Sequence, residues 1–132
     1  MRRPEEALQR ALVAHLRLTL KPPWIFWATA NQKGTRKSWE QAMLKAMGCR
    51  AGIPDLFALG PDRMLVGLEL KAPPERLKNG QASTAKVSLS DAQLDTMRAL
   101  EACGIPTIIV RSIDDAVAAL STLGAEFKGR VM

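Results

Sequence analysis

Three residues whose types can do hydrolytic chemistry stand near one another in the chain. Asp55 follows the turn Gly52-Ile53-Pro54, and Glu69 and Lys71 close the run Val66-Gly67-Leu68-Glu69-Leu70-Lys71. Successive side chains on a strand alternate faces, so Glu69 and Lys71 point one way while Leu70 points into the core. This spacing sets a carboxylate and an ammonium about 7 Å apart along one face. Asp55 is expected to open the neighbouring strand of a hairpin, and strand pairing then brings its carboxylate beside Glu69. Two carboxylates without histidine make a hard oxygen site that suits Mg²⁺. A metal there would polarise a phosphate oxygen and acidify an attacking water. Lys71 would orient that water or balance charge in the transition state.

Each residue also has a plainer role. Asp55 can cap a strand after Pro54, and Glu69 with Lys71 can be a charge pair on a solvated strand. Glu-x-Lys by itself arises by chance about once per 270 positions, and Glu126-Phe127-Lys128 is a second copy in this chain. No apolar strand leads into that copy and no Pro-Asp precedes it. The first copy has the strand, the turn and the partner carboxylate, so context selects it.

The elements that must position these residues follow from periodicity. Leu8, Leu12, Leu16 and Leu20 recur every fourth residue, which predicts an amphipathic helix over 4–20, with Pro4 in its first turn and Pro22-Pro23 after its end. The aromatic and branched run from Trp24 to Thr29 predicts a strand. A basic loop spans Asn31 to Lys37, and Ser38 with Gln41 resembles a capping box opening a short helix that carries Trp39, Met43 and Met47 on one face. Two strands are predicted at Asp55–Leu59 and Met64–Lys71, joined by a turn at Gly60-Pro61-Asp62-Arg63. A long loop covers 72–88. Ser90 with Gln93 forms a second capping box for a helix closed by Gly104. A strand over Ile105–Val110 and a helix capped by Ser112 complete the order. This is an α/β chain, one domain over 1–132, with a single mixed sheet flanked by helices.

Composition narrows the function classes. Lys and Arg total 19 against 13 Asp and Glu, a net charge of +6 and a basic balance that suits a polyanion. Residues 31–50 hold Lys33, Arg36, Lys37, Lys45 and Arg50 against Glu40, a net of +4, just before the candidate site. That placement favours phosphate contact over a merely solvated face. The loop 72–88 has no aromatic residue, which argues against base stacking there. His15 is the only histidine and Cys49 and Cys103 the only cysteines, so a zinc site built on these residues is disfavoured. The cysteines, His15 and the Met43/Met47 pair are expected to pack rather than ligate, with the cysteines buried, and at least two of Trp24, Trp27 and Trp39 are expected in the core. No signal-like start or membrane-spanning run is present, so a soluble, intracellular protein is expected.

Taken together, Gly52-Ile53-Pro54-Asp55-Leu56, Glu69-Leu70-Lys71 and Leu89-Ser90-Asp91-Ala92-Gln93 resemble the VRR-NUC (virus-type replication-repair nuclease) branch of the PD-(D/E)XK nucleases. The resemblance extends upstream to Pro4-Glu5-Glu6-Ala7-Leu8-Gln9, Asn31 with Gly34 and Arg36, Glu40-Gln41-Ala42 and Lys45-Ala46-Met47-Gly48, and covers nearly the whole chain. It implies a restriction-endonuclease-like αβββαβ core, Mg²⁺ or Mn²⁺ dependence, and phosphodiester hydrolysis of DNA. Asp55, Glu69 and the Leu70 carbonyl would be metal ligands and Lys71 the catalytic lysine. Gln93 would support the site, although it competes with its own cap role. Glu5 would be the accessory acid of the first helix, although it can equally complement that helix's dipole and Glu6 rivals it. Asn31, Lys33, Arg36, Lys37 and Lys45 would meet DNA. The stand-alone members of the family imply a homodimer acting on branched DNA like a Holliday-junction resolvase, in the cytoplasm of a bacterial or phage-infected cell. A flap or single-strand nuclease, or a non-cleaving DNA-binding module of the same fold, are the alternatives. Two departures bear on substrate contacts rather than chemistry: Gln32-Lys33 intervene where the family more often has glycine soon after the asparagine, and the loop after Lys71 is longer than usual.

Overall fold

The computed structural model describes residues 4–29, 38–81 and 87–129. Asn31, Lys33, Arg36 and Lys37 lie outside the described residues. The elements are α1 (Pro4–Thr19), β1 (Ile25–Ala28), α2 (Ser38–Ala46), β2 (Leu56–Gly60), a 3₁₀ turn at Pro61–Arg63, β3 (Met64–Leu70), α3 (Asp91–Ala102), β4 (Thr107–Val110) and α4 (Ile113–Thr122). The four strands form one sheet in the order β1-β2-β3-β4. β1/β2 and β2/β3 are antiparallel, and β3/β4 are parallel. A parallel pair needs a crossover connection, and α3 supplies it. The α/β architecture expected from the sequence is therefore present, with α2 added between β1 and β2 and α4 at the end.

The sheet divides its side chains cleanly. Leu56, Ala58, Val66, Leu68, Leu70 and Val110 share one face and form a buried cluster with Leu8, Leu12 and Leu16 of α1 and Ala116 and Leu120 of α4. Fully burying one such leucine is worth about 1.5–3 kcal/mol relative to leaving it exposed. The four-residue leucine spacing of α1 is thus the stripe that covers this face. α3 lies against the opposite face, where Glu69 meets Gln93.

Several expectations are corrected. Trp24 precedes β1 instead of beginning it: its N–H bonds to the Lys21 carbonyl at 3.2 Å in the preceding turn, while its buried indole packs on Gly60, where a Cβ would collide with the ring. Only Trp24 of the three tryptophans is buried. Trp27 is exposed, stacked on Phe57 with ring centroids 5.9 Å apart, and Trp39, Met43 and Met47 are exposed on α2, a helix with no buried residue. Cys49 and Cys103 are exposed rather than buried. Both sit where a helix has just ended: Cys103 is the C-cap of α3, and the Cys49 N–H bonds back to the Leu44 carbonyl. The second Glu-x-Lys is used in chain closure, with Phe127 bridging Leu20 and Glu126 and Lys128 exposed on either side. Among the described residues no helix is long and apolar enough to cross a membrane.

The Gly52 turn fixes where Asp55 starts. Gly52 has φ +79°, and a Cβ there would press on the Ala92 carbonyl and stand 2.6 Å from the Gln93 nitrogen. Backbone cannot swing aside as a side-chain tip can. Gly52→Ala is expected to destabilise the protein by about 1–3 kcal/mol, read as a lower urea midpoint, whereas Gly80→Ala, with nothing near its Cβ, loses only the strain of its positive φ. Equal midpoints for the two variants would show that the turn does not rest on α3.

Candidate active site

Asp55 stands one residue before β2, a small correction to its expected place within the strand. The register Leu56↔Leu68 carried one step further sets Asp55 opposite Glu69, so both side chains lie on the face away from the leucine core. Asp55 is fixed from both sides. Its backbone carbonyl accepts from the Thr29 N–H at 2.9 Å, while the Thr29 hydroxyl donates to the Pro54 carbonyl at 2.8 Å. Its own Oδ2 accepts from the Leu70 N–H at 2.8 Å. The aspartate thus crosses to β3 and takes the backbone donor next to Glu69. Pro54 leans on Gly67, where a Cβ would come within 2.7 Å of its ring.

Glu69 is 2% exposed and Asp55 6%. A carboxylate removed from water needs donors. Gln93 Nε2 donates to Glu69 Oε2 at 2.9 Å, and the Lys71 ammonium lies 4.0 Å from the same oxygen. The sequence left Gln93 divided between capping α3 and supporting the site, and in the structure it caps α3 while also touching Glu69 and Lys71. Gln93 Oε1 accepts from the Ser90 N–H at 2.9 Å and from Lys71 Nζ at 3.2 Å, while the Ser90 hydroxyl accepts from the Gln93 N–H. The amide orientation follows from chemistry: turning it over would set an NH₂ group against two donors and an oxygen against a carboxylate. One side chain therefore starts the helix, holds the glutamate and aligns the lysine.

Other expected residues fall elsewhere. Lys45 is exposed in the last turn of α2. Glu5 is half-buried in the first turn of α1, and Glu6 is exposed and paired with Arg10 at 3.3 Å. Among the described residues no group of three His, Cys, Asp or Glu side chains converges as a metal centre. The acidic pair brought together is Asp55 with Glu69, and Glu5 is not gathered into a third position beside it. Two positioning residues escaped the sequence reading. Thr29 is one. Thr96 is the other, a buried residue one helical turn after Gln93, whose hydroxyl donates to the Ala51 carbonyl at 2.8 Å and accepts from Arg50 Nε at 3.0 Å. Its spacing of three from Gln93 was the available signal, since such residues share a helix face.

The two uses of Gln93 can be separated. Glutamate also serves in a capping box, so Gln93→Glu keeps the cap but turns a carboxylate on Glu69. It is expected to lose about 1–3 kcal/mol of stability, comparable to Gln93→Ala in thermal melts. A Gln93→Glu protein that melts like wild type would reduce Gln93 to a cap.

No protein-family model matches the chain, and no curated protein does. Among solved structures it is similar to a VRR_NUC domain protein at 20% identity and a TM-score of 0.53, with 92% of this chain and 88% of that chain covered. At that identity the likeness concerns fold. The chain has the restriction-endonuclease-like fold of a VRR-NUC domain protein, with Asp55, Glu69, Lys71 and Gln93 gathered at the ends of its central strands.

Proposed function

We propose that this chain is a metal-dependent deoxyribonuclease that hydrolyses phosphodiester bonds, selects branched DNA, and works as a homodimer. The observation that carries the reading is the convergence of two buried carboxylates, a lysine and a glutamine at one sheet end. Asp55 and Glu69 face each other in register, and like charges so placed repel. A divalent cation held by these hard oxygens would relieve that repulsion, and histidine and cysteine take no part in the cluster. Asp55, Glu69 and the Leu70 carbonyl would hold Mg²⁺ or Mn²⁺, which when bound supplies phosphate polarisation and a more acidic water.

The chain's own groups do the rest. Lys71 is steered by Gln93 Oε1 and Glu69 Oε2, and an ammonium has three donors. It gives a hydrogen bond to a phosphate oxygen and balances the charge that grows there. Gln93 bonds to both Lys71 and Glu69 and so braces the ion pair between them at 4.0 Å. The net charge of +6 draws in the polyanion, and Lys33, Arg36, Lys37 and Lys45, with Asn31, contact its phosphates. Preference for branched DNA rests on symmetry: a four-way junction needs two opposed cuts, and a C₂ dimer provides two sites.

Purified protein incubated with labelled duplex, flap, single-stranded and four-way DNA is expected to cut in Mg²⁺ and not in excess chelator. Asp55→Asn and Lys71→Ala should each lower cleavage by about 10²–10³-fold, while Glu126→Gln cuts normally. Normal cutting by either site variant would reject the assignment. Preference for flap or single strands would replace the junction reading, and binding without cleavage would mark a non-cleaving module.

Light scattering over a concentration series should give about twice the chain mass of 14.4 kDa. A monomer mass with and without DNA would favour the flap or single-strand reading.

A further inference from the structure

The parallel register Glu69↔Ile109 and Leu70↔Val110 carried one step further sets Lys71 beside Arg111. The Lys71 N–H bonds to the Val110 carbonyl at 2.9 Å, so pairing does continue past the strand ends. Leu70 and Val110 point into the core at 1% and 0% exposure, and alternation sends Lys71 and Arg111 to the other face, the face of Glu69. Arg111 is half-buried and doubly held there. Its Nε donates to the Ala72 carbonyl at 2.9 Å, and its backbone N–H donates to Asp115 Oδ2 at 2.9 Å. Asp115 in turn is set by the Ser112 cap, whose hydroxyl accepts from the Asp115 N–H at 3.0 Å.

Among the described residues this arrangement uses one of the five guanidinium donors. Bracing the Ala72 carbonyl asks only for a neutral N–H. Among the described residues the Arg111 guanidinium meets no carboxylate: Asp115 bonds to the backbone of Arg111, and Asp114 is exposed in the first turn of α4. The Nε bond fixes the plane of the fork while the Nη edge keeps its bidentate geometry, the form that matches a phosphate. Two cations, Lys71 and Arg111, thus stand side by side at the ends of β3 and β4, with Glu69 near Lys71 alone.

We propose that Arg111 is a phosphate-binding residue of the active site, its Nη fork gripping the non-bridging oxygens of the phosphodiester next to the one being cut. The proposal rests on the nuclease reading and adds the direction in which the cut strand runs: across the ends of β3 and β4, past Lys71 toward Arg111. The Ala72 contact makes the fork rigid, so the strand is received by a preset guanidinium and not a swinging one.

The test compares wild type, Arg111→Gln and Arg111→Lys by binding of a fluorescently labelled DNA duplex in Ca²⁺, by cleavage in Mg²⁺ and by thermal melting. Glutamine can still donate to the Ala72 carbonyl but carries no charge. Arg111→Gln is expected to melt close to wild type, bind about 10–100-fold more weakly, and lower the salt slope of log K by about 0.9 for the lost phosphate contact. Arg111→Lys should restore the slope while recovering only part of the affinity. An unchanged slope and affinity in Arg111→Gln overturns the proposal and leaves Arg111 a brace. Binding loss that follows a fall in melting temperature in both variants overturns it in the same way. Failure of the wild type itself to bind or cut DNA would instead sink the nuclease reading.

Discussion

The site depends on keeping one carboxylate nearly dry. Glu69 lies at 2% exposure on a central strand, where an uncompensated charge would be costly. The Lys71 ammonium and the Gln93 amide across the crossover both compensate it, and the amide contact dictates much else. α3 must begin where its third residue, Gln93, reaches the strand, so Ser90 must cap at that point. The turn before Asp55 must clear the helix backbone, which leaves no room for a side chain at Gly52. Thr96, one turn further on, ties the same helix to the Arg50-Ala51 segment. The helix start, the turn and the strand end are thus one mechanical unit.

Asp55 meets the same constraint by a different route. It lies just outside the β2 ladder, and its side chain takes up the backbone donor of Leu70 that a longer strand would otherwise have satisfied. The plainer reading of Asp55, a residue that ends a strand, and the chemical one describe the same geometry. Gln93 behaves likewise. In both cases a local structural bond aims a side chain at a shared point, so order in the backbone becomes order in the polar cluster.

What the sequence made legible was whatever depended on period or short spacing. The leucines of α1, the alternation in β3, the Ser90 and Ser112 caps and the hairpin between β2 and β3 all follow local rules. What it hid depended on which faces find a partner. Trp39, Met43 and Met47 form a credible apolar stripe, yet α2 buries no residue. Trp27 lies within its strand as expected but stays exposed, stacked on Phe57 of the neighbouring strand. Thr29 and Thr96 were invisible because their partners, Pro54 and Ala51, are reached only after the sheet and crossover have formed. A hydroxyl in a sequence carries no mark of a carbonyl more than twenty residues away.

The division of the sheet into a leucine face and a carboxylate face bears on how such a chain can change over time. β3 contributes Val66, Leu68 and Leu70 to one side and Gly67 and Glu69 to the other. The helices that cover the leucine side, α1 and α4, come from opposite ends of the chain, while Asp55, Glu69, Lys71 and Gln93 fall within one continuous stretch between them. Substitutions in the two sets share few partners, and energies of separated sites add. Drift in the terminal helices therefore alters the stability reserve with little effect on the polar cluster. The central stretch can in turn accept destabilising changes as long as that reserve lasts. Robustness and novelty are drawn from opposite sides of the same four strands.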